Sequence, residues 1–474
     1  MRIKATNVFL VLCLIFPAFS IAQKAAETSI RTILTYDDFI QGVRENHPLS
    51  KQAALQQQLG EAEVRSARGG FDPKTYAELS QKYFKDSQYY SLFEGGVKVP
   101  TWFGIEFMGG YEENDGVFLN PENNVPNNGL YFAGVKVPIG QGLFIDQRRA
   151  TLRSAQVFAN STEQSRRMLL NDLLLEAASS YWKWFEAYHQ QKVFEEAVEV
   201  ALIRFRAVKQ SAALGDVPSI DTLEAGIQVQ DRQLKLQQAQ LDYDNASAQL
   251  NVYLWDNGLI PLELADSTFP SDLNDIETTY ADLALVQGFD TLVAQHPLLQ
   301  LNQFEIDRLN IDRRLKAEML KPTINLKYQP IVEGIGNEIA NNFNENNYTW
   351  GVDFSFPILL RKERGALAKT KIKLQEKQFD LDNKTQDISY KARASINTWN
   401  TTKNQSDLYE RTTQDYFGLL EGERQLFDTG ESSLFLVNRR EVSYINARVK
   451  LIELISKNQK AELKTLYNLG ILAP

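Results

Sequence analysis

From Arg149 to Ala213 the sequence contains neither proline nor glycine for 65 residues. Such a run favours one uninterrupted helix, and at 1.5 Å per residue it spans roughly 97 Å. Few globular domains hold a rod of that length, so the chain is expected to be elongated. Leu214-Gly215-Asp216-Val217-Pro218-Ser219 ends the rod. A second run, Arg364 to Asp428, is interrupted only by Gly365, Gly418 and Gly422 and ends at Thr429-Gly430-Glu431-Ser432-Ser433. Glycine suits the left-handed position after a helix, and Ser219 or Ser432 is a candidate cap for the helix that follows.

The two rods belong to a duplication. His47-Pro48-Leu49 recurs as His296-Pro297-Leu298, and the same offset of 249 carries Pro73 to Pro322. An offset of 215 pairs Arg149 with Arg364, Leu152 with Leu367, Ala177 with Ala392, Ser180 with Ser395, Trp184 with Trp399 and Gly215 with Gly430. Ordered, ungapped matches of this kind signal two structural repeats. The first runs over 35–255 and the second over 281–470, with a linker at 256–280 between them. In the first, strands are expected over 73–138 and long helices over 149–213 and 219–255. In the second, strands are expected over 322–357 and long helices over 364–428 and 433–469. The change of offset leaves the first repeat with 34 extra residues between Pro73 and Arg149.

The helix after the first rod has two apolar series. Ile220, Ile227, Leu234, Leu241, Ala248 and Trp255 recur every seven residues, as do Val229, Leu236, Tyr243 and Leu250. They are offset by two positions, about 200° around the helix. Opposed stripes call for a neighbour on each side, where an ordinary surface helix has one stripe. Gln228, Asp231, Arg232, Gln233, Lys235, Gln238, Asp242 and Asp244 fill the remaining, polar faces. Heptad spacing favours coiled-coil packing. Val442, Val449, Leu463, Tyr444 and Leu451 repeat the layout in the second half.

The strand segments alternate with period two. Tyr348, Trp350, Val352, Phe354 and Phe356 interleave with Thr349, Gly351, Asp353 and Ser355, and Ile324, Leu326 and Tyr328 with Thr323, Asn325 and Lys327. In the first repeat Thr75, Ala77, Leu79 and Tyr83 form one set, and Tyr131, Ala133, Val135 and Val137 another. An apolar, aromatic-rich face opposite a polar one fits a strand with lipid outside and water inside, or a soluble half-buried sheet. Asn-rich loops are expected at Glu112 to Asn128 and Glu333 to Asn347.

The N-terminus and the lack of a long apolar segment favour the first. Arg2 and Lys4 precede an apolar stretch from about Val8 to Ile21, and Ser20-Ile21-Ala22 supplies small residues before Gln23. This is the pattern of a secretory signal peptide over 1–22. The only cysteine, Cys13, falls inside it, so no disulfide or Cys-based metal site is expected. Beyond it no segment has 18 consecutive apolar residues, so any membrane crossing is made by strands. Too few strands are available to close a barrel from one chain, and open edges are not tolerated in lipid, so several chains are required.

Other classes are disfavoured. The formal charge of -9, from 51 Lys+Arg against 60 Asp+Glu, argues against a nucleic-acid partner. No Rossmann, P-loop, HExxH or GxSxG motif occurs, and no catalytic residue, cofactor or metal site is assigned. Glu112-Glu113 and Glu195-Glu196 are read as solvated faces. His47 and His296, each before proline at a helix break, are read as structural, and Trp182, Trp184 and Trp399 as packing aromatics.

This order of elements resembles the TolC family of outer-membrane efflux channels over residues 35 to 470. The resemblance rests on the duplication, Pro73 and Pro322 opening strands after a helix, Pro138 and Pro357 ending strands, and the two tip sequences. It implies an α+β membrane protein: a homotrimer with one transmembrane β-barrel shared by three chains and continued by a periplasmic α-helical, coiled-coil barrel. It also implies an outer-membrane exit duct of a tripartite efflux or type I secretion system. The implied partners are outer-membrane lipid, a periplasmic adaptor protein and an inner-membrane pump or ABC transporter. Gly215, Asp216, Val217, Pro218, Ser219, Gly430, Glu431, Ser432 and Ser433 become the expected adaptor-docking tips. The resemblance places a periplasmic gate just inside them: Asp221 matches an acidic position of the family, while Leu436 and Arg439 stand where further acids are expected, so closure is expected from packing of Leu436 with contacts among Asp221, Arg439 and Arg440. Tyr348, Trp350, Val352, Phe354 and Phe356 become the lipid-facing strand. An exported coiled-coil tether without channel activity is the alternative.

The surplus departs from the family pattern. Gly96-Val97-Lys98-Val99-Pro100 echoes Gly134-Val135-Lys136-Val137-Pro138, and Phe103, Ile105 and Phe107 alternate with Gly104, Glu106 and Met108. The segment 85–128 is therefore expected to hold an extra hairpin. It either extends the outer rim of a family-like twelve-stranded barrel or adds two strands per chain and gives eighteen. The rim is the reading adopted from sequence.

Overall fold

A computed structural model describes residues 32–333 and 344–473. The expected signal peptide and Cys13 lie outside these residues, as does most of the Glu333–Asn347 loop. The chain is an α+β molecule in which a six-stranded sheet stands at one end of a wall of long helices.

The helices set the length. α1 (Tyr36–Asn46) and α2 (Pro48–Arg68) precede the first strands, and α3 (Gln147–Leu214) follows them as a rod of 68 residues. α4 (Ser219–Asn251) returns along it. After a linker, the short α5 (Leu283–Gln287) and α6 (Phe289–Ala294) lead into α7 (Pro297–Glu318). The second rod, α8 (Arg361–Asp428), also has 68 residues, and α9 (Leu434–Asn468) returns along it. Near the sheet the wall is four helices wide in the order α2, α3, α7, α8; toward the far end the order is α4, α3, α9, α8.

The core sits at mid-rod, where helices start and stop. Tyr181, Trp184 and Phe185 of α3 are fully buried among Phe39, Leu174, Leu250 and Leu463. Trp182 and Trp399 are buried as well. A three-residue strand β1 (Thr32–Leu34) is tied to the linker by parallel pairing with β8 (Thr268–Pro270), and a small hairpin joins β6 (Trp255–Asp256) to β7 (Ile260–Pro261). The buried Asn458 pins the linker from both ends of its amide. Its Oδ1 accepts from Thr279 N at 3.0 Å, and its Nδ2 donates to the carbonyls of Thr279 and Trp399 and to Thr402 Oγ1.

The histidine–proline breaks repeat as structure. The imidazole of His47 caps α2, its Nδ1 accepting from Leu49 N at 3.2 Å. His296 caps α7 in the same way, accepting from Leu298 N at 3.1 Å. Each also bonds a backbone group on a distant helix end, Val252 and Tyr467 respectively. An acceptor on Nδ1 requires the neutral ring. Burial lowers the His296 pKa from 6.5 to about 4, with a smaller contribution from the Arg167 charge, while the Tyr467 bond opposes it. The unfolded chain therefore takes up this proton first as pH falls. The stability it represents, about 3 kcal/mol at ~1.4 kcal/mol per pH unit, is complete above 6.5 and is lost as pH drops toward 4. His296→Asn keeps a capping acceptor, so its melting temperature is expected to lose most of the slope between pH 6.5 and 4.5. An unchanged slope would show that other groups carry it.

The sheet runs β2 (Lys74–Phe84), β3 (Ser87–Pro100), β4 (Glu106–Asp115), β5 (Leu130–Pro138), β9 (Thr323–Val332), β10 (Tyr348–Ser355), in that spatial order and antiparallel throughout. The surplus segment is not a rim. β3 and β4 lie inside the ladder along their length, with Lys74 opposite Lys98, Val99 opposite Phe107 and Glu106 opposite Lys136. Their connection, Thr101 to Ile105, is a tight turn at the helix end of the sheet, held by Thr101 Oγ1 donating to Ile105 O at 2.6 Å. Phe103 and Ile105, read from sequence as strand residues, belong to this turn. Glycines allow the inserted strands to come close: a Cβ on Gly110 would lie 2.4 Å from Gly95 O and 2.7 Å from the Phe132 ring. Gly in a strand marks such close backbone approach.

Candidate functional site: the two-faced sheet and the helical tips

The pairing register extends the alternation of single strands across the whole sheet. Val352 and Phe354 of β10 stand opposite Leu326 and Ile324 of β9. Leu326 and Tyr328 stand opposite Val137 and Val135 of β5, which continues to Phe107 and then Val99. At the far side Val97 pairs with Thr75 and Phe93 with Leu79. All belong to one face, because side chains opposite each other in a ladder point the same way. Trp350, Val352 and Phe354 are exposed there, Phe354 at 68%. The opposite face carries most of the charges, Glu113 and Asp115 at the loop end of β4 being on the apolar side. Lys327 and Asp353 pair at 2.9 Å, Tyr76 donates to Glu94 at 2.7 Å, and Lys98 sits 3.9 Å over the Tyr76 ring. Lys74, Glu106, Glu112 and Lys136 share that face through the same register.

Sheet and wall are joined at the start of α3. Asp146 caps the helix, accepting from Arg149 N at 2.8 Å. The buried Arg149 guanidinium reaches back to donate to Leu143 O at 3.1 Å and to Gly142 O, and it packs against Gly104 in the β3–β4 turn. This places the inserted hairpin on the rod itself.

At the other end each rod finishes in the same motif. Gly215 has φ +83 and donates to Ala212 O, while Asp216 donates to Ser211 O at 2.9 Å. Gly430 has φ +81 and donates to Phe427 O, while Glu431 donates to Leu426 O at 2.8 Å. These paired bonds satisfy the last carbonyls of the rods through a left-handed residue. Nothing lies within 4 Å of a Cβ placed on either glycine. Substitution there costs conformation alone, so Gly215→Ala and Gly430→Ala are each expected to cost about 1 kcal/mol. Hydrogen exchange of the last turns of α3 and α8 checks this; unchanged protection would contradict it.

The caps differ from expectation. Pro218 occupies the cap position of α4 without a side-chain bond, and Ser219 is the first helical residue. α9 is capped by Ser433, whose Oγ accepts from Leu436 N at 3.4 Å. Ser432, the expected cap, instead donates to Glu423. In both loops the cap lies three residues past the tip glycine, at Pro218 and at Ser433.

The gate candidates have these surroundings. Asp221 is in the first turn of α4, and Leu436 and Arg439 in the first turns of α9. Arg440 pairs with Glu423 at 3.3 Å within the chain, and no ion pair with Asp221 occurs among the described residues. Farther from the tips lies a group that the sequence reading missed. Arg232, assigned to a polar face, is only 2% exposed and bonds Glu441 at 3.0 Å. Arg204 bonds the same carboxylate and donates to Asn438 Oδ1 at 2.9 Å, and Arg424 lies 3.7 Å from the other oxygen. One buried acid therefore ties α3, α4, α8 and α9 together about 16 Å from the tips, some eleven residues along a helix. Burial works to raise the Glu441 pKa, but the Arg232 hydrogen bond and the Arg204 and Arg232 charges outweigh it and hold it below the ordinary value. The glutamate's place in the chain gave no warning, since Arg204, Arg232 and Glu441 meet only across helices.

No helix among the described residues is long and apolar enough to cross a membrane, and none of their acidic, His and Cys side chains cluster as a metal site. No protein-family model and no curated protein matches the sequence. Solved structures do match. The CmeC outer membrane channel of Campylobacter jejuni aligns over 92% of this chain and 86% of its own, at 14% identity and a TM-score of 0.64. CusC, whose structures describe transmembrane channel formation, aligns over 95% of both chains at 16% identity and 0.66. The open state of the MtrE outer membrane channel of Neisseria gonorrhoeae aligns over 92% of this chain and 89% of its own, at 13% identity and 0.66. From strands to helical tips, this chain has the fold of the TolC-type outer-membrane channels.

Proposed function

We propose that this chain is one protomer of a trimeric outer-membrane channel, most of whose length stands in the periplasm. The observation that carries the reading is the joining of two features. The sheet is largely apolar on one face and bears most of its charges on the other over six strands, and it ends on a helical wall about 100 Å long, from 68 residues at 1.5 Å each. In a closed barrel the apolar face meets lipid and the charged face lines water. Tyr348, Trp350, Val352, Phe354 and Phe356 are then lipid-facing. The likeness to CmeC, CusC and MtrE supports the same reading.

On this reading the chain serves as the exit duct of a tripartite efflux or type I secretion system. Gly215 to Ser219 and Gly430 to Ser433 receive a periplasmic adaptor, which couples the duct to an inner-membrane pump or ABC transporter. The two tip loops suit this role because both are largely exposed and are held by the same paired backbone bonds. Asp221, Leu436, Arg439 and Arg440 close the aperture between copies.

Planar bilayers test the reading. Purified protein is expected to insert and conduct in discrete steps, and Asp221→Ala with Arg439→Ala is expected to raise the conductance. Failure to conduct under any condition would refute the channel. Conductance unchanged by the double variant would remove the gate assignment alone.

A further inference from the structure

The junction of sheet and wall holds a cleft that conduction does not require. It lies between the segment leading into α3 and the end of α7, and Phe144, Arg153, Arg314, Glu318 and Lys321 line it. Its volume is about 450 Å³, within the roughly 300–1,000 Å³ of small-ligand sites. Near the sheet α3 and α7 are the two inner helices of the wall. The cleft therefore belongs to one chain and lies away from both margins.

The charges in the cleft do not balance, because three cations face one carboxylate. That carboxylate, on the buried Glu318, is already engaged: it pairs with Lys321 at 2.7 Å and accepts from Phe144 N at 3.3 Å. Arg153 and Arg314 are exposed and make no ion pair or hydrogen bond among the described residues. Basic neighbours on the same two helices do find acids: Arg148 pairs with Glu106, Arg308 with Glu305 and Lys316 with Asp312. In a chain of formal charge -9, two uncompensated arginines at one cleft call for an anion. The guanidinium fork matches the oxygens of a phosphate.

The position of the cleft selects the source of that phosphate. Arg148 reaches the charged face of the sheet through Glu106. Arg153 follows five residues later, about 140° around the helix, and so opens on the other side of the wall. The apolar face of the sheet ends on that side. There Ile139 N extends the ladder to the carbonyl of Ile324, which stands opposite Phe354. Ile139 and Phe144 are more than half exposed, and Trp102, in the β3–β4 turn at the same end of the sheet, is 75% exposed. Lys321 sits 4.4 Å over the Phe144 ring. Apolar and aromatic side chains followed at once by unpaired cations match the order in which a bilayer presents acyl chains and then phosphates.

We propose, resting on the channel reading above, that this cleft binds the headgroup of an anionic phospholipid in the leaflet nearer the helices. Arg153 and Arg314 hold the phosphate. Glu318 keeps Lys321 over Phe144, and Phe144 and Ile139 lie along an acyl chain. A soluble phosphate ester offers the same phosphate without the acyl chain, and the test separates the two.

Native mass spectrometry of the full-length protein in detergent reads the site. Phosphatidylglycerol and phosphatidylcholine with the same acyl chains are titrated together, and phosphatidylglycerol is expected to be retained in preference. Arg153→Ala with Arg314→Ala is expected to weaken its binding roughly thirtyfold. Arg153→Lys with Arg314→Lys is expected to recover part of that loss. Lys235→Ala with Lys391→Ala removes as much positive charge far from the sheet and is expected to change nothing. Glycerol phosphate at the concentration of the lipid is expected not to compete. Retention of both lipids alike, or an equal loss in both alanine pairs, would overturn the site. Competition by glycerol phosphate would overturn the lipid and leave a soluble phosphate ester in its place. Conductance of the same preparations in planar bilayers keeps these results apart from the channel reading, which stands if the parent protein conducts. A parent protein that neither conducts nor enters a bilayer would remove both.

Discussion

Replacing Glu441 by alanine is expected to destabilise the tip end of the wall by about 3–5 kcal/mol, because it leaves Arg232 buried with its charge unpaired. The carboxylate is 4% exposed and Arg232 2%, so water cannot take its place without opening the wall. Arg232 Nε already has no hydrogen-bond partner among the described residues, which leaves the cluster little reserve. Glu163→Ala is the control. It removes an exposed pair with Arg166 one helical turn away, and such pairs contribute about 0–1 kcal/mol. Thermal melting and hydrogen exchange across α4 and α9 distinguish the two. Equal small effects would mean that the buried cluster is solvated in solution. If the tips gate the channel, the same loosening makes Glu441→Ala more conductive than the parent protein.

The second large effect lies in the sheet. Val352→Arg introduces a charge at the middle of the proposed lipid-facing strand and is expected to cost about 2–4 kcal/mol of insertion and assembly. Its neighbour Asp353 is on the opposite face, paired with Lys327. Asp353→Asn is expected to leave the amount of assembled protein in the membrane nearly unchanged while altering ion selectivity. The comparison is sharp because adjacent residues should behave differently. If both variants assembled equally well, the apolar face would not meet lipid.

The rods and the two-faced sheet were legible because each rests on a local rule. The absence of glycine and proline across Arg149 to Ala213 favours a continuous helix, and Gly215 and Gly430 mark where left-handed backbone ends it. Tyr348 to Ser355 alternates with the period of a strand. What was not legible depends on contacts distant in sequence. Arg232 has polar neighbours on either side, and its burial follows only once α3 and α9 supply Glu441, Asn438 and Arg204 from across the wall. The pairing of β1 with β8 involves three residues each and leaves no periodic signal. The inserted hairpin was visible as an echo of Gly134–Pro138, but its depth was not. Whether β3 and β4 extend above the sheet or run to its base depends on the turn at Thr101–Ile105 and on its anchor, Arg149. The candidate site was legible in the same uneven way: the tip glycines declared themselves, while the serine that caps α9 was displaced by one position.

The central claim is that the chain is a protomer of a strand-walled channel continued by a helical tunnel. The most direct measurement is the native mass of the protein extracted in detergent from separated envelope fractions, together with the membrane it came from. A stable three-chain particle from the outer membrane is the predicted result. A soluble periplasmic single chain would contradict the account, and the alternating strands would then belong to an ordinary half-buried sheet on a coiled-coil tether.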